Sequence, residues 1–224
     1  MSKFHRAFFL LAVFAAFAAG LCHAQTGLEL DIYGGDNSGS NIAFPQSAQT
    51  AFSSSSSYTA FFTGLTPTLT TNTATTSQTT LNFPSLFAPF GFNFNSDYVA
   101  RLQGEISITT AGSYTFTTGS DDGTVLFIDG VLVVNNNFFQ GTTFRSGVTS
   151  LSLGAHAIDI GYYQGGGGVG LDIQYAGPDF GNQDIPNQVL FTIPEPSTWV
   201  LTAGLTALAW AGFRRRSAKS TVAK

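Results

Sequence analysis

Hydrophobic residues recur at every second position in several stretches of this chain, with turn residues between them. Tyr114 and Phe116 alternate with Ser113, Thr115 and Thr117, the period of a strand with one buried and one wet face. Residues 125–128 and 131–134 are short apolar runs separated only by Asp129 and Gly130, and that pair predicts a tight type I′ hairpin. Residues 119–123, Gly-Ser-Asp-Asp-Gly, are expected to form the loop between the first two of these three strands, with adjacent carboxylates away from the packed face. Further strands are predicted at 28–33, 97–102, 105–109, 147–153 and 189–193. In a longer one His156, Ile158, Ile160 and Tyr162 share a face while Asp159 and Gly161 point away; in the next, Leu171, Ile173 and Tyr175 alternate with Asp172 and Gln174. The Ser/Thr-rich stretch 47–80 reads as a surface insertion docked through Phe61, Phe62 and Leu65, and 81–94, with Pro84 and Pro89, as an irregular edge segment. Many short strands, Gly-rich turns and little helical period predict an all-β fold, an antiparallel β-sandwich.

The two ends have another character, and they divide the chain into 1–24, 25–193 and 194–224. Lys3 and Arg6 precede an apolar run at 7–20, and Ala24 is the small residue expected before a cleavage site. This predicts a signal peptide with Gln25 as the first mature residue, hence export. The bulky Leu21 before Cys22 argues against lipid modification. At the other end Pro194, Glu195 and Pro196 precede an apolar run at 199–213, then Arg214, Arg215 and Arg216. The run is just long enough to enter a bilayer as a transmembrane helix, and the arginines act as a cytoplasmic stop. This succession resembles the PEP-CTERM sorting signal of exported Gram-negative bacterial proteins. The resemblance implies recognition by an exosortase, transient anchoring in the inner membrane, and delivery to the cell surface or extracellular matrix.

Charge narrows the function of the middle segment. Between residues 25 and 193 there is no cysteine, one histidine, His156, and two basic residues, Arg101 and Arg145, against twelve acids, a formal balance of −10. Disulfides and thiolate metal sites are excluded. Nucleic-acid binding needs Lys and Arg against phosphates, and they are missing. A hard divalent cation suits such a surface far better.

The succession Gly104, Gly112, Tyr114-Thr115-Phe116, Ser120-Asp121-Asp122-Gly123, Leu126, Ile128-Asp129-Gly130, Leu153-Gly154, His156 and Tyr162-Tyr163 resembles the protective-antigen fourteen-kilodalton domain family, a β-sandwich found in toxins, glycosidase insertions and adhesins. In its sugar-binding members two aspartates joined by a cis peptide bind calcium, which contacts sugar hydroxyls. The resemblance places that pair on Asp121 and Asp122, with the remaining ligands in the loop after the long strand: Gln164, Gly165 and Gly166. That loop carries glycines and no asparagine to complete the cation shell.

From the residues alone Asp121 and Asp122 serve either as turn caps or as a hard-cation site. Phe138, Phe139 and Tyr163 are candidates to stack on a sugar ring, although core packing is the expected role of each. Gly165-x-Gly167-x-x-Gly170 fits a dinucleotide fingerprint only on paper, because a strand follows it. A triad of His156, Asp159 and a serine is set aside, since a lone histidine on a strand is more often a packed residue. Hydrolysis lacks a partner acid across a cleft. The expectation is an exported, non-enzymatic, calcium-dependent carbohydrate-binding protein whose partners are an extracellular polysaccharide and the exosortase; the alternative is a structural matrix protein with no defined sugar site.

Overall fold

The structure, a computed structural model, describes residues 25–34, 52, 54–76 and 97–193. The predicted signal peptide and the tail, with Pro194, Glu195, Pro196, Arg214, Arg215 and Arg216, lie outside the described residues, as does the 81–94 segment. The elements are β1 (Glu29–Gly34), α1 (Ser55–Phe62), β2 (Leu69–Asn72), β3 (Tyr98–Ile108), β4 (Gly112–Asp121), β5 (Gly123–Ile128), β6 (Val131–Asn136), β7 (Thr143–Leu151), β8 (Gly154–Gln164), β9 (Gly170–Gly177), β10 (Phe180–Asp184) and β11 (Leu190–Phe191). One sheet has the order β2-β1-β3-β8-β5-β6, with β11 also on β3; the second has the order β10-β9-β4-β7. Every pairing is antiparallel, so the predicted β-sandwich is the fold.

The core between the sheets is built by the alternation seen in the sequence. Tyr114 and Phe116 of β4, Ile158, Ile160 and Tyr162 of β8, and Leu171, Ile173 and Tyr175 of β9 all point into it. Strand β5 is buried along its whole length, which is why its sequence is a continuous apolar run and not an alternating one. Leu126 and Ile128 enter the main core, while Val125 and Phe127 face outward into a second cluster with Tyr33, Tyr58, Phe62, Val99 and Tyr163.

That second cluster exists because α1 covers the outer face of the larger sheet. The Ser/Thr-rich stretch is therefore more than an insertion: Ser54 caps the helix by accepting the Ser57 amide at 3.3 Å. Tyr58 stacks on Phe127 with ring centroids 4.9 Å apart. Burying side chains of this size stabilises the fold by about 2 kcal/mol each. Beneath the helix Arg101 meets Asp159 at 2.5 Å, its guanidinium 5.5 and 5.2 Å from the rings of Tyr58 and Phe62.

The Asp129-Gly130 hairpin joins β5 to β6 as predicted, with φ values of 48° and 76°. The loop expected at 119–123 is corrected. Gly119, Ser120 and Asp121 are the end of β4 and Gly123 begins β5, and the two strands lie in different sheets. Two boundaries also shift: the strands predicted at 97–102 and 105–109 are one, β3 at Tyr98–Ile108, and the 147–153 strand is β7 at Thr143–Leu151; β10 is an unpredicted edge strand.

Candidate functional site

Three connections pass between the sheets at one end of the sandwich: 121–123 from β4 to β5, 137–142 from β6 to β7, and 165–169 from β8 to β9. They meet at Asp122, which is 2 % exposed. Its Oδ1 accepts the Gln140 amide at 3.0 Å and its Oδ2 the Gly165 amide at 2.7 Å. One side chain thus ties each of the other two crossovers to its own. Burial pushes the Asp122 carboxyl up; the Gly165 and Gln140 amides pull it back, and the charge of Asp121 pushes it further up. Among the described residues no cationic side chain pairs with Asp122; the ion pairs are Arg101–Asp159 and His156–Asp129. The Asp121–Asp122 peptide is cis, as the family resemblance implies.

Asp121 ends β4 on its outward side. Its carboxylate lies against Gly168, in the space a side chain there would fill. Gly165 is equally confined, because a Cβ would run into the Tyr163 hydroxyl and meet Phe139 Cε2 at 2.9 Å. These contacts give Gly165 and Gly168 a physical reason, because a side chain at either would collide; Gly166 and Gly167 face open space and instead hold φ values of 135° and 87°, which favour glycine.

Gln164 is completely buried. Its Oε1 stands 2.8 Å from the Tyr162 hydroxyl, which also reaches the Asp121 carbonyl at 2.6 Å, and its Nε2 donates to the Gly168 carbonyl at 2.8 Å. The side chain closes the 165–168 turn and is committed to that role; it ends β8 and does not lie in the loop.

Several residues of the site carry no sequence motif. Asn136, fully buried on β6, donates through Nδ2 to the Thr118 carbonyl at 3.1 Å, the Ser120 hydroxyl at 3.1 Å and the Thr143 carbonyl at 2.8 Å, bridging the two sheets. Its Oδ1 accepts from Gln140 Nε2 at 2.8 Å and from Arg145 Nη1. Arg145 also donates to Gln140 Oε1 at 2.8 Å and lies 4.1 Å from the centroid of Phe138. The loop that supplies the Gln140 amide to Asp122 is therefore fixed from three sides. Phe139 is left 67 % exposed at the rim beside Gly165, whereas Tyr163 is buried. Asn137 places a buried Oδ1 with no hydrogen-bond partner next to Gly123. The Asn-Asn-Asn-Phe-Phe run was the only signal for this loop, and it says nothing of what each residue contacts.

The donor chemistry fits a hard cation. No cluster of three or more His, Cys, Asp or Glu occurs among the described residues, so a metal site here would draw its charge from Asp121 and Asp122 and its further donors from neutral oxygens. Oxygen-only sets with carboxylates, an amide oxygen and backbone carbonyls suit calcium; zinc and copper favour nitrogen or sulfur.

At the opposite end of β5, Asp129 Oδ2 lies 2.6 Å from His156 Nδ1, while His156 Nε2 lies 3.0 Å from the Ser152 carbonyl and 3.3 Å from its hydroxyl. The histidine thus pairs with Asp129, and Asp159 with Arg101. The His156–Asp159 pairing that the triad required is therefore not formed. The hydrogen bond to Asp129 raises the His156 pKa, burial opposes it, and the Ser152 carbonyl adds to the rise.

A model of the PA14 domain matches residues 53–188, more than half of the chain. A PEP-CTERM protein-sorting motif matches residues 192–216. No curated protein matches the chain. Among solved structures, a PA14 sugar-binding domain from an RTX adhesin is 20% identical, with 76% of this chain and 100% of that chain covered and a TM-score of 0.57. The Epithelial Adhesin 6 A domain of Candida glabrata, in complex with Galb1-3GlcNAc, is 11% identical, with 79% and 91% covered and a TM-score of 0.55. An anti-sigma factor domain-containing protein is 18% identical over 76% of this chain, at a TM-score of 0.54, and the match spans only 49% of that protein. At these identities the likeness is one of fold.

Proposed function

The chain belongs to the PA14 domain family, and we propose that it is an exported, non-enzymatic protein that binds carbohydrate at the Asp121–Asp122 end of the sandwich with the help of calcium. The observation that carries this reading is the state of Asp122: a carboxylate 2 % exposed, held by two amides, beside a second carboxylate and with no side-chain cation among the described residues. A buried charge in that setting gains from a bound cation. Asp121 and Asp122 would hold it, with Asn137 Oδ1 and the backbone carbonyls of Gln164, Gly165 and Gly166 as neutral oxygens. Calcium bound there supplies a positive centre for sugar hydroxyls. Phe139, two-thirds exposed beside Gly165, offers its ring to the apolar face of a pyranose.

The domain from an adhesin that is named as sugar-binding, and the adhesin domain complexed with a disaccharide, support the ligand class. The geometry supports a non-enzymatic role: glycoside hydrolysis needs two carboxyls facing each other across a gap of about 5–9 Å, and Asp121 and Asp122 are consecutive residues, with Asp122 locked by two amides. The sorting motif, with Pro194, Glu195, Pro196, Arg214, Arg215 and Arg216, would hand the chain to an exosortase at the inner membrane, for delivery to the cell surface or the extracellular matrix.

A glycan array probed with the full chain tests this. Binding to one or more glycans in calcium, lost with chelator and lost in Asp121→Asn/Asp122→Asn, is the expected result. A wild-type chain that binds no glycan in calcium, or binds equally with chelator, contradicts it.

A further inference from the structure

Asp121 heads a column of outward-facing residues on β4, with Gly119, Thr117 and Thr115 below it, while Tyr114, Phe116, Thr118 and Ser120 point inward. The neighbouring strands extend each level into a row. Gly119 stands opposite Phe144 of β7 and Asp172 of β9; Thr117 stands opposite Ser146 and Gln174, and Gln174 opposite Asp184 of β10. The Phe144–Gly119–Asp172 row begins one two-residue repeat, about 7 Å, from Asp121.

Phe144 is 55 % exposed. Its ring fills the place of a Gly119 side chain, with Cζ and Cδ1 at 2.6 and 2.7 Å from where a Cβ would stand. Covering a glycine from the adjacent strand supports the sheet, and that uses one face of the ring. The other face meets water, within a surface of hydrogen-bonding groups: the Thr117 and Ser146 hydroxyls, 2.8 Å apart, and the Gln174 amide, which donates to Asp172 at 3.0 Å. Burial and the neighbouring Asp184 push Asp172 up to about 6. Among the described residues no cation faces these rows, since Arg101 is paired with Asp159 and Arg145 is turned into the Asn136–Gln140 network. A partly apolar ring flanked by hydroxyls, an amide and carboxyls, all continuous with Asp121, has the chemistry of a surface for an uncharged sugar chain.

We propose that the glycan bound at Asp121–Asp122 continues along the outer face of the smaller sheet over Phe144, so that the protein reads consecutive sugars of a neutral polysaccharide and not a single terminal sugar. This inference rests on the reading of the Asp121–Asp122 end given above. The structure supplies the second position; Asp172 and Asp184 disfavour a uronic-acid chain there.

The test is calorimetric titration of the calcium-loaded full chain with glucose, mannose, galactose and fucose, each against its linear tetrasaccharide, and with tetragalacturonate. For the sugar that is bound, the tetrasaccharide should bind tighter than the monosaccharide by about tenfold, the upper end of what one aromatic contact contributes. That ratio should fall to near one in Phe144→Ala and return in Phe144→Trp. A misfolded variant would lower both affinities and leave the ratio undefined by Phe144, which the Trp variant reveals. Monosaccharide and tetrasaccharide bound equally by the wild type, an unchanged ratio in Phe144→Ala, or preference for tetragalacturonate overturns the proposal while leaving the Asp121–Asp122 reading in place. A wild type that binds none of these sugars and no glycan on the array removes both.

Discussion

The two ends of β5 each carry an aspartate, and the two are treated in opposite ways. Asp129, at the hairpin end, has a half-exposed side chain, accepts the Ala157 amide at 2.9 Å and faces the His156 ring at 2.6 Å. Its charge is answered by an amide, an imidazole and water. Asp122, at the crossover end, is shut away from water and answered by amides alone. The same residue type is therefore a finished turn device in one place and an unmet electrostatic demand in the other. What separates them is the number of sheet-to-sheet connections that meet at each, and with it the degree of burial.

Removing the two carboxylates in turn is the strongest way to break this contrast. Asp122→Ala strips the acceptors from two backbone amides in two different crossovers, and should cost about 3 kcal/mol. Asp129→Ala loses a half-exposed pair and a turn residue, at about 1 kcal/mol. Urea denaturation of both variants gives the comparison; equal losses would erase the distinction. Arg145→Ala sharpens it at smaller cost, about 1–2 kcal/mol, by releasing Gln140 and Asn136. Hydrogen exchange should then quicken at the Gln140 amide and stay unchanged at Ala157, and loss of protection at both ends would refute a local role.

The smallest effect belongs to the hairpin end. Because the folded-state pKa of His156 is raised above its ordinary 6.5, the contribution of its charged pair is fully present below that value and is lost as the pH rises through the folded one. The stability difference between wild type and His156→Asn should therefore shrink from acid to mildly alkaline pH, by a fraction of a kcal/mol. A difference that grows with pH would mean the ring is held neutral.

Much of this arrangement was legible in the chain. The alternation at 113–117 and 171–175 and the Asp-Gly pair at 129–130 are local signals, and each produced the expected strand or hairpin. The membership of β4 and β5 in separate sheets was not legible, since alternation shows which side of a strand is buried but not which sheet it joins. The helix α1 was hidden by its serines; it is held by the Ser54 cap and by aromatic contacts to β5, which is distant in sequence. The acid pair at 121–122 could be seen, yet Gln164 as a buried strut and the Asn136–Gln140–Arg145 bridge depend on contacts between strands of opposite sheets. Gln, Asn and Arg look like ordinary surface residues until those strands are brought together.

The proposed site requires that the crossover end take up a hard cation. Calcium titrated calorimetrically into the full chain should give a saturable heat, with half-saturation at millimolar concentration or below, and that heat should vanish in Asp121→Asn/Asp122→Asn while persisting in Asp129→Asn. No saturable heat in the wild type, or the same heat in the double variant, would contradict it.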